Sequence, residues 1–169
     1  MTLKEKMMEP FNAQIKSEFT ASAQYIAIAV YFDDASLKEL ANFFYRQSDE
    51  EHMHAMKFVH FMLETGAKPT IPDTPKLRND FSSPADAVQF ALDQEKEVTV
   101  QINNLVDLSI TESDHAANNF LQWFVTEQVE EVDTMTNLLQ TIKLAGDNLL
   151  LVEDYVRRNP QHAGDEPAE

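Results

Sequence analysis

The sequence predicts an all-α protein: a four-helix bundle with one long crossover between helices two and three, followed by a short fifth helix. Three observations carry this. Helix breakers are scarce: 169 residues hold three Gly and seven Pro, with no Pro in 11–68 or 85–159. Apolar residues recur every three to four positions over four long stretches, the period of an amphipathic helix and not of a strand. The link between the second and third stretches is far longer than neighbouring helices of a bundle need.

The elements follow in order. The first helix is expected over about 3–33, and DDAS (33–36) breaks it from a second over 36–65, with Ser36 placed to cap the second. TGAKPTIPDTPKLRNDFSSP (65–84) carries Gly66 and Pro69, Pro72, Pro75 and Pro84, and reads as connection. Its 18 residues 66–83 reach about 60 Å when extended. A 28-residue helix is only about 42 Å long, so the link can cross the whole bundle. The third helix runs over 84–111, TESD (111–114) is a short polar break, and the fourth runs over 114–145. Gly146 ends it, and Asp147 is placed to cap NLLLVEDYVRR (148–158). Two short turns make two antiparallel hairpins. One domain is expected over 1–159, with the bundle in 1–145 and the fifth helix in 147–158, and 160–169 reads as a flexible acidic tail.

Thirteen basic against 29 acidic residues give a net charge of −16. Such a chain repels nucleic acid and anionic membrane and attracts cations. No apolar run approaches the roughly 20 residues that span a bilayer. The start, MTLKEKMMEPFNAQ, lacks the apolar segment of a secretory signal, so a cytoplasmic location is expected. With no cysteine, disulfides, thiolate metal sites and iron–sulfur clusters are excluded.

The chemistry lies in the apolar stripes. Taken every seven positions, helix one shows Phe11, Glu18, Tyr25, Phe32, and helix three shows Val88, Glu95, Ile102. Helix two shows Leu37, Phe44, Glu51, Phe58, beside Leu40, Gln47, His54, Phe61; helix four shows Phe124, Glu131, Leu138, beside Leu121, Gln128, Met135, Ile142. Such rows face the core of a bundle. In DEEHMHAM (49–56), Glu51 and His54 therefore point inward, while Asp49 and His52 point outward. Glu18 and Glu51 are centred on the first turn, Glu95 and Glu131 on the second, so each pair is level within its hairpin.

One buried glutamate is ordinarily a polar residue that fixes register, or one that bends out to solvent. Four at matched heights, with a histidine three positions from one of them, need neutralising. Ionised carboxylates in a dry core cost several kcal/mol each. Protons can neutralise them, but divalent metal also fixes their geometry, and oxygen-rich sites with an imidazole suit iron or manganese. Four carboxylates balance two dications, so the expectation is a dinuclear site.

Glu18, Glu95 and Glu51-His52-Met53-His54 resemble the ligand pattern of ferritin-like di-iron carboxylate proteins. TEQVEEVD (126–133) has no second Glu-x-x-His, and in this the chain is similar to the non-haem bacterial ferritins, with Glu130 where bacterioferritins carry histidine. SEFTASAQYIAIAVYF (17–32), FFYRQSDEEHMHAMKF (43–58) and NNFLQWFVTEQVEE (118–131) extend the resemblance over about 1–159. It implies a ferroxidase and iron store using O2 or H2O2, assembled as a shell of 24 identical subunits, an assembly that the apolar LLLV of the fifth helix independently suggests. Glu18, Glu51 and His54 would hold one iron, and Glu51 would bridge to a second held by Glu95 and Glu131, with Gln128 beside it. Glu50, Glu127 and Glu130, together with Glu131, would form a third iron site. Tyr25 would stand near the irons, and Trp123 would pack.

The position after the bridging glutamate, methionine in haem-binding relatives, is His52 here, and Met53 comes one residue too late, so no haem is expected. Two other readings are a rubrerythrin-like di-iron peroxidase and a DNA-protecting miniferritin. Against the first stand the lack of cysteine and of a histidine ligand on helix four. Against the second stand ligands kept within one bundle and an acidic end, GDEPAE.

Overall fold

A computed structural model describes residues 2–73 and 76–160. Its helices are α1 (Glu5–Asp34), α2 (Lys38–Glu64), α3 (Pro84–Thr111), α4 (His115–Ala145) and α5 (Leu149–Arg158). This is the expected all-α bundle, and among the described residues there is no strand. No described helix is long and apolar enough to cross a membrane. Apart from Pro160, the tail expected over 160–169 lies outside the described residues.

The turns differ from expectation in an instructive way. Ser36 does not cap α2. It closes α1 in the left-handed region, at φ 62°, while the Leu37 N–H donates to Phe32 O at 2.9 Å. Ser113 repeats this at the end of α3, with φ 52° and the Asp114 N–H on Ser109 O at 2.8 Å. A residue committed to ending one helix in this conformation cannot supply the extended backbone of the next N-cap. The first N–H groups of α2 are satisfied from a distance instead: Glu153 on α5 accepts from Glu39 at 3.0 Å and from Leu40 at 2.9 Å. Asp147 likewise does not cap α5, whose N-cap is Asn148 without a side-chain bond. Ser83 and Asp114 do cap, accepting from the N–H of Asp86 and of Ala117 at 3.1 Å each. Glu153→Ala is therefore expected to cost about 1–2 kcal/mol. The midpoint should fall by about 3–6 °C, as read by calorimetry, and α5 should loosen with it.

The crossover decides the topology. Its Thr70 N–H donates to Asn12 at 2.6 Å, and further on Gln24 pairs with the Arg78 backbone in both directions, at 2.7 and 2.9 Å. Phe81 then packs edge-on against Tyr31. The link thus climbs the length of α1, so α3 starts beside the end of α1 and runs parallel to α2. At the opposite end the Lys4 N–H donates to Asp114 at 2.9 Å and Lys6 pairs with Glu112 at 2.7 Å. Neighbours around the bundle are α1–α2, α1–α3 and α3–α4, with α2 and α4 facing each other on the fourth side.

The core is divided into two. One apolar cluster holds Phe32, Leu40, Phe44, Val88, Met135 and Ile142, and the other holds Phe11, Ile15, Phe58, Ile102, Leu121 and Phe124. Between them lies a polar layer that includes Glu18, Glu51, His54, Glu95, Gln128 and Glu131, all buried.

Candidate metal centre

Each helix delivers its glutamate to this layer because helical periodicity keeps residues seven apart on one stripe. Buried partners above and below, Phe11 and Tyr25 around Glu18 for example, seat the stripe inside. Glu18, Glu51 and His54 bring ligand atoms within 4.8 Å of one another, and so do Glu51, Glu95 and Glu131. Glu51 is the shared corner. A third group, His54, Glu127 and Glu131, abuts both.

Hydrogen bonds fix the posture of some of these groups. Gln14 Nε2 donates to Glu18 Oε1 at 2.7 Å. The Tyr25 hydroxyl donates to Glu95 Oε1, and Gln128 Nε2 donates to Glu95 Oε2 at 3.2 Å and to the Glu95 carbonyl at 3.1 Å. His54 Nδ1 lies 3.5 Å from Glu51 and Nε2 lies 3.8 Å from Glu127. Glu18 Oε2, Glu131 Oε2 and His54 Nε2 are buried without a hydrogen-bond partner among the described residues. Orphaned atoms of this kind, all of metal-ligating type and all aimed into one layer, suit a cation that supplies the missing contacts.

The electrostatics agree. Two like charges about 5 Å apart at an effective dielectric of 20 repel by about 3 kcal/mol, so four ionised carboxylates cannot coexist here unaided. Burial, then the neighbouring Glu51, holds Glu18 well above the usual carboxylate range. Burial and Glu95 raise both Glu51 and Glu131. Glu95 is pushed up to about 7 by burial, against the Tyr25 bond that favours its anion. For His54 burial opposes the charge, but Glu51 and Glu127 outweigh it and raise the imidazole well above its ordinary value. Burial and mutual repulsion thus favour the protonated form of these carboxylates in the absence of a cation.

The other sequence candidates divide. Glu127 is half-buried and joins His54 and Glu131. Glu50 is half-buried, takes the Gln47 amide, and is raised by burial, yet it belongs to none of the three groups. Glu130 is exposed and also belongs to none. Trp123 packs edge-on against His54 at 5.4 Å. Gln14 is the polar residue of this layer that sequence reasoning missed. Its signal was present, one turn before Glu18 on the same face, but an amide there passes for an ordinary surface residue.

Known proteins resemble this chain over most of its length. The ferritin family model, described as the ferritin-like domain, matches residues 8–145. The chain is 49% identical over 154 residues to "Ferritin BfrB" of Mycolicibacterium smegmatis, covering 91% of this chain and 85% of that one. It is 32% identical over 146 residues to "Bacterial non-heme ferritin" of Staphylococcus haemolyticus, covering 86% and 88%. Among solved structures, the open-pore ferritin of Archaeoglobus fulgidus superposes with a TM-score of 0.88 at 34% identity, covering 91% and 96%.

Proposed function

Since the chain belongs to the ferritin family, we propose that it stores iron and oxidises Fe2+ to Fe3+ at the buried carboxylate layer before storing it. The observation that carries this is Glu51 as the corner common to two ligand triads. Glu18, Glu51 and His54 would receive one Fe2+, and Glu51, Glu95 and Glu131 the other. Here iron is the substrate, and the ions replace protons on the raised carboxylates.

In the proposed reaction two Fe2+ give one electron each to O2, which takes up two protons and leaves as H2O2; with H2O2 as oxidant, two protons are taken up and two waters leave. The protein's part is to hold two cations a few Å apart, keep water out with the flanking aromatic clusters, and offer carboxylates that tolerate the change in charge. Tyr25 and Gln128 orient Glu95 for this. Tyr25→Phe is expected to slow oxidation about tenfold while the number of irons bound stays the same, because a ligand's hydrogen-bond partner is worth about 10–100-fold. Stopped-flow absorbance on anaerobically loaded protein reads both quantities.

Storage requires an enclosed volume, which one bundle does not have, so the reading includes a multi-subunit shell. Leu144, Leu150 and Leu151 are 57% exposed or more on and beside α5, an apolar area that suits burial against further subunits. The direct test is anaerobic Fe2+ titration followed by oxygen, together with the particle size. A fast phase saturating at two or three irons per chain, in a large hollow particle that retains ferric iron, is the expected result. A monomer, or slow oxidation without saturation, would reject the reading.

A further inference from the structure

We propose that the groove between α1 and α3 is the port by which Fe2+ enters the carboxylate layer, with Gln14 as the gate residue that passes the cation to Glu18; this rests on the ferroxidase reading above. Along the bundle axis the layer is closed by the two apolar clusters. On the α2–α4 side a 270 Å³ pocket is lined by Phe61, Phe120 and Trp123, with the Lys57 ammonium 4.1 Å over the Trp123 ring. Glu64 in the same lining balances Lys57, and the aromatic faces that make up the rest of the wall offer a dication few oxygen ligands.

The α1–α3 side is different. There Ala13, Ser17 and Ala21 are small and leave the seam open. A 310 Å³ pocket lined by Gln14, Gln101 and Asn104 shares Ala13 and Gln101 with a 290 Å³ pocket reaching Gln94. Gln14 is 3% exposed, lines this groove, and holds Glu18 Oε1 at 2.7 Å, so a single side chain connects the groove to the nearest ligand. Gln94 Oε1 and Gln101 Oε1 are buried acceptors without a partner among the described residues. Turned into the groove, such oxygens would accept from the outward-pointing hydrogens of a hydrated dication. Being neutral, they let it pass without trapping it, as a conducting path must. Lys16 and Glu97 line the same groove, are exposed, and oppose each other in charge. The competing approach runs over Glu50 and Glu127 on the α2–α4 side.

The test is stopped-flow uptake of Co2+, followed by its visible absorption, in the assembled protein. Ala13→Trp and Gln101→Phe fill the groove without touching a ligand. They are expected to bind as many Co2+ at equilibrium about tenfold more slowly, and to lower kcat/KM for Fe2+ oxidation with kcat unchanged. Lys16→Glu should speed uptake several-fold at low salt, an advantage that high salt removes; Lys57→Glu, on the opposite side, should leave the rate alone. Correctly assembled groove-filled variants that load at the wild-type rate would overturn the port, as would acceleration by Lys57→Glu and not by Lys16→Glu. If the wild type takes up Co2+ but does not oxidise Fe2+, the ferroxidase reading fails while the Co2+ rates still decide the port.

Discussion

Glu51→Ala is expected to remove the fast phase of Fe2+ oxidation, lowering the initial rate at least about 100-fold. Groups that merely orient a ligand are worth about 10–100-fold, and Glu51 is itself a corner of both triads. Its loss would leave two separated half-sites, Glu18 with His54 and Glu95 with Glu131, and no carboxylate between the two cations. Anaerobic loading followed by rapid mixing with oxygen measures this, and an intact fast phase in the variant would reject the assignment. Glu51→Gln keeps the volume and separates chemistry from folding: it should lose the same fast phase while the protein still folds and assembles. Relief of the repulsion from Glu95 and loss of the contact with His54 act in opposite directions on the stability of this variant, so folding is read separately by calorimetry and particle size.

The second large effect is on pH. Glu95 has its pKa raised from its ordinary value to about 7, and Glu18, Glu51 and Glu131 shift in the same direction. A raised carboxylate binds more protons folded than unfolded. The stability of the metal-free protein is therefore full below about pH 4.5 as far as these groups are concerned, and it falls as pH rises through 7. At 1.36 kcal/mol per pKa unit, Glu95 alone accounts for about 3 kcal/mol of that loss. His54, also raised, adds to it with the same sign. Metal reverses the trend, because it binds the deprotonated ligands and releases their protons. The rise in melting temperature on adding Zn2+ or Co2+ to chelator-treated protein should be several times larger at pH 8 than at pH 5.5, with proton release measurable in weakly buffered solution. Equal shifts at both pH values would show that the layer does not trade protons for metal.

Much of this was legible because helical periodicity is strict. Once four helices were recognised, the positions of Glu18, Glu51, His54, Glu95 and Glu131 on apolar stripes followed, and all five are buried. Other features depend on neighbours that no local pattern records. Ser36 has the composition of an N-cap but serves as the left-handed end of α1, and the capping of α2 comes from Glu153, more than a hundred residues away. Glu50, Glu127 and Glu130 look alike in sequence. Only Glu127 meets His54 and Glu131: it is half-buried on α4 one turn before Glu131, whereas Glu130 on the same helix is exposed. Gln14 was passed over because an amide one turn before a buried acid gains meaning only when α3 leaves a groove beside it.

By itself, then, the order of residues determined the all-α class, the four long helices, the length of the crossover and the inward row of acids, since each depends on short-range periodicity and on the scarcity of helix breakers. The direction of α3, the joining of two level pairs into triads that share Glu51, and the seam beside Gln14 were decided only in three dimensions. Those features are fixed by how side chains pack across helices, through contacts such as those 33 and 110 residues apart in sequence.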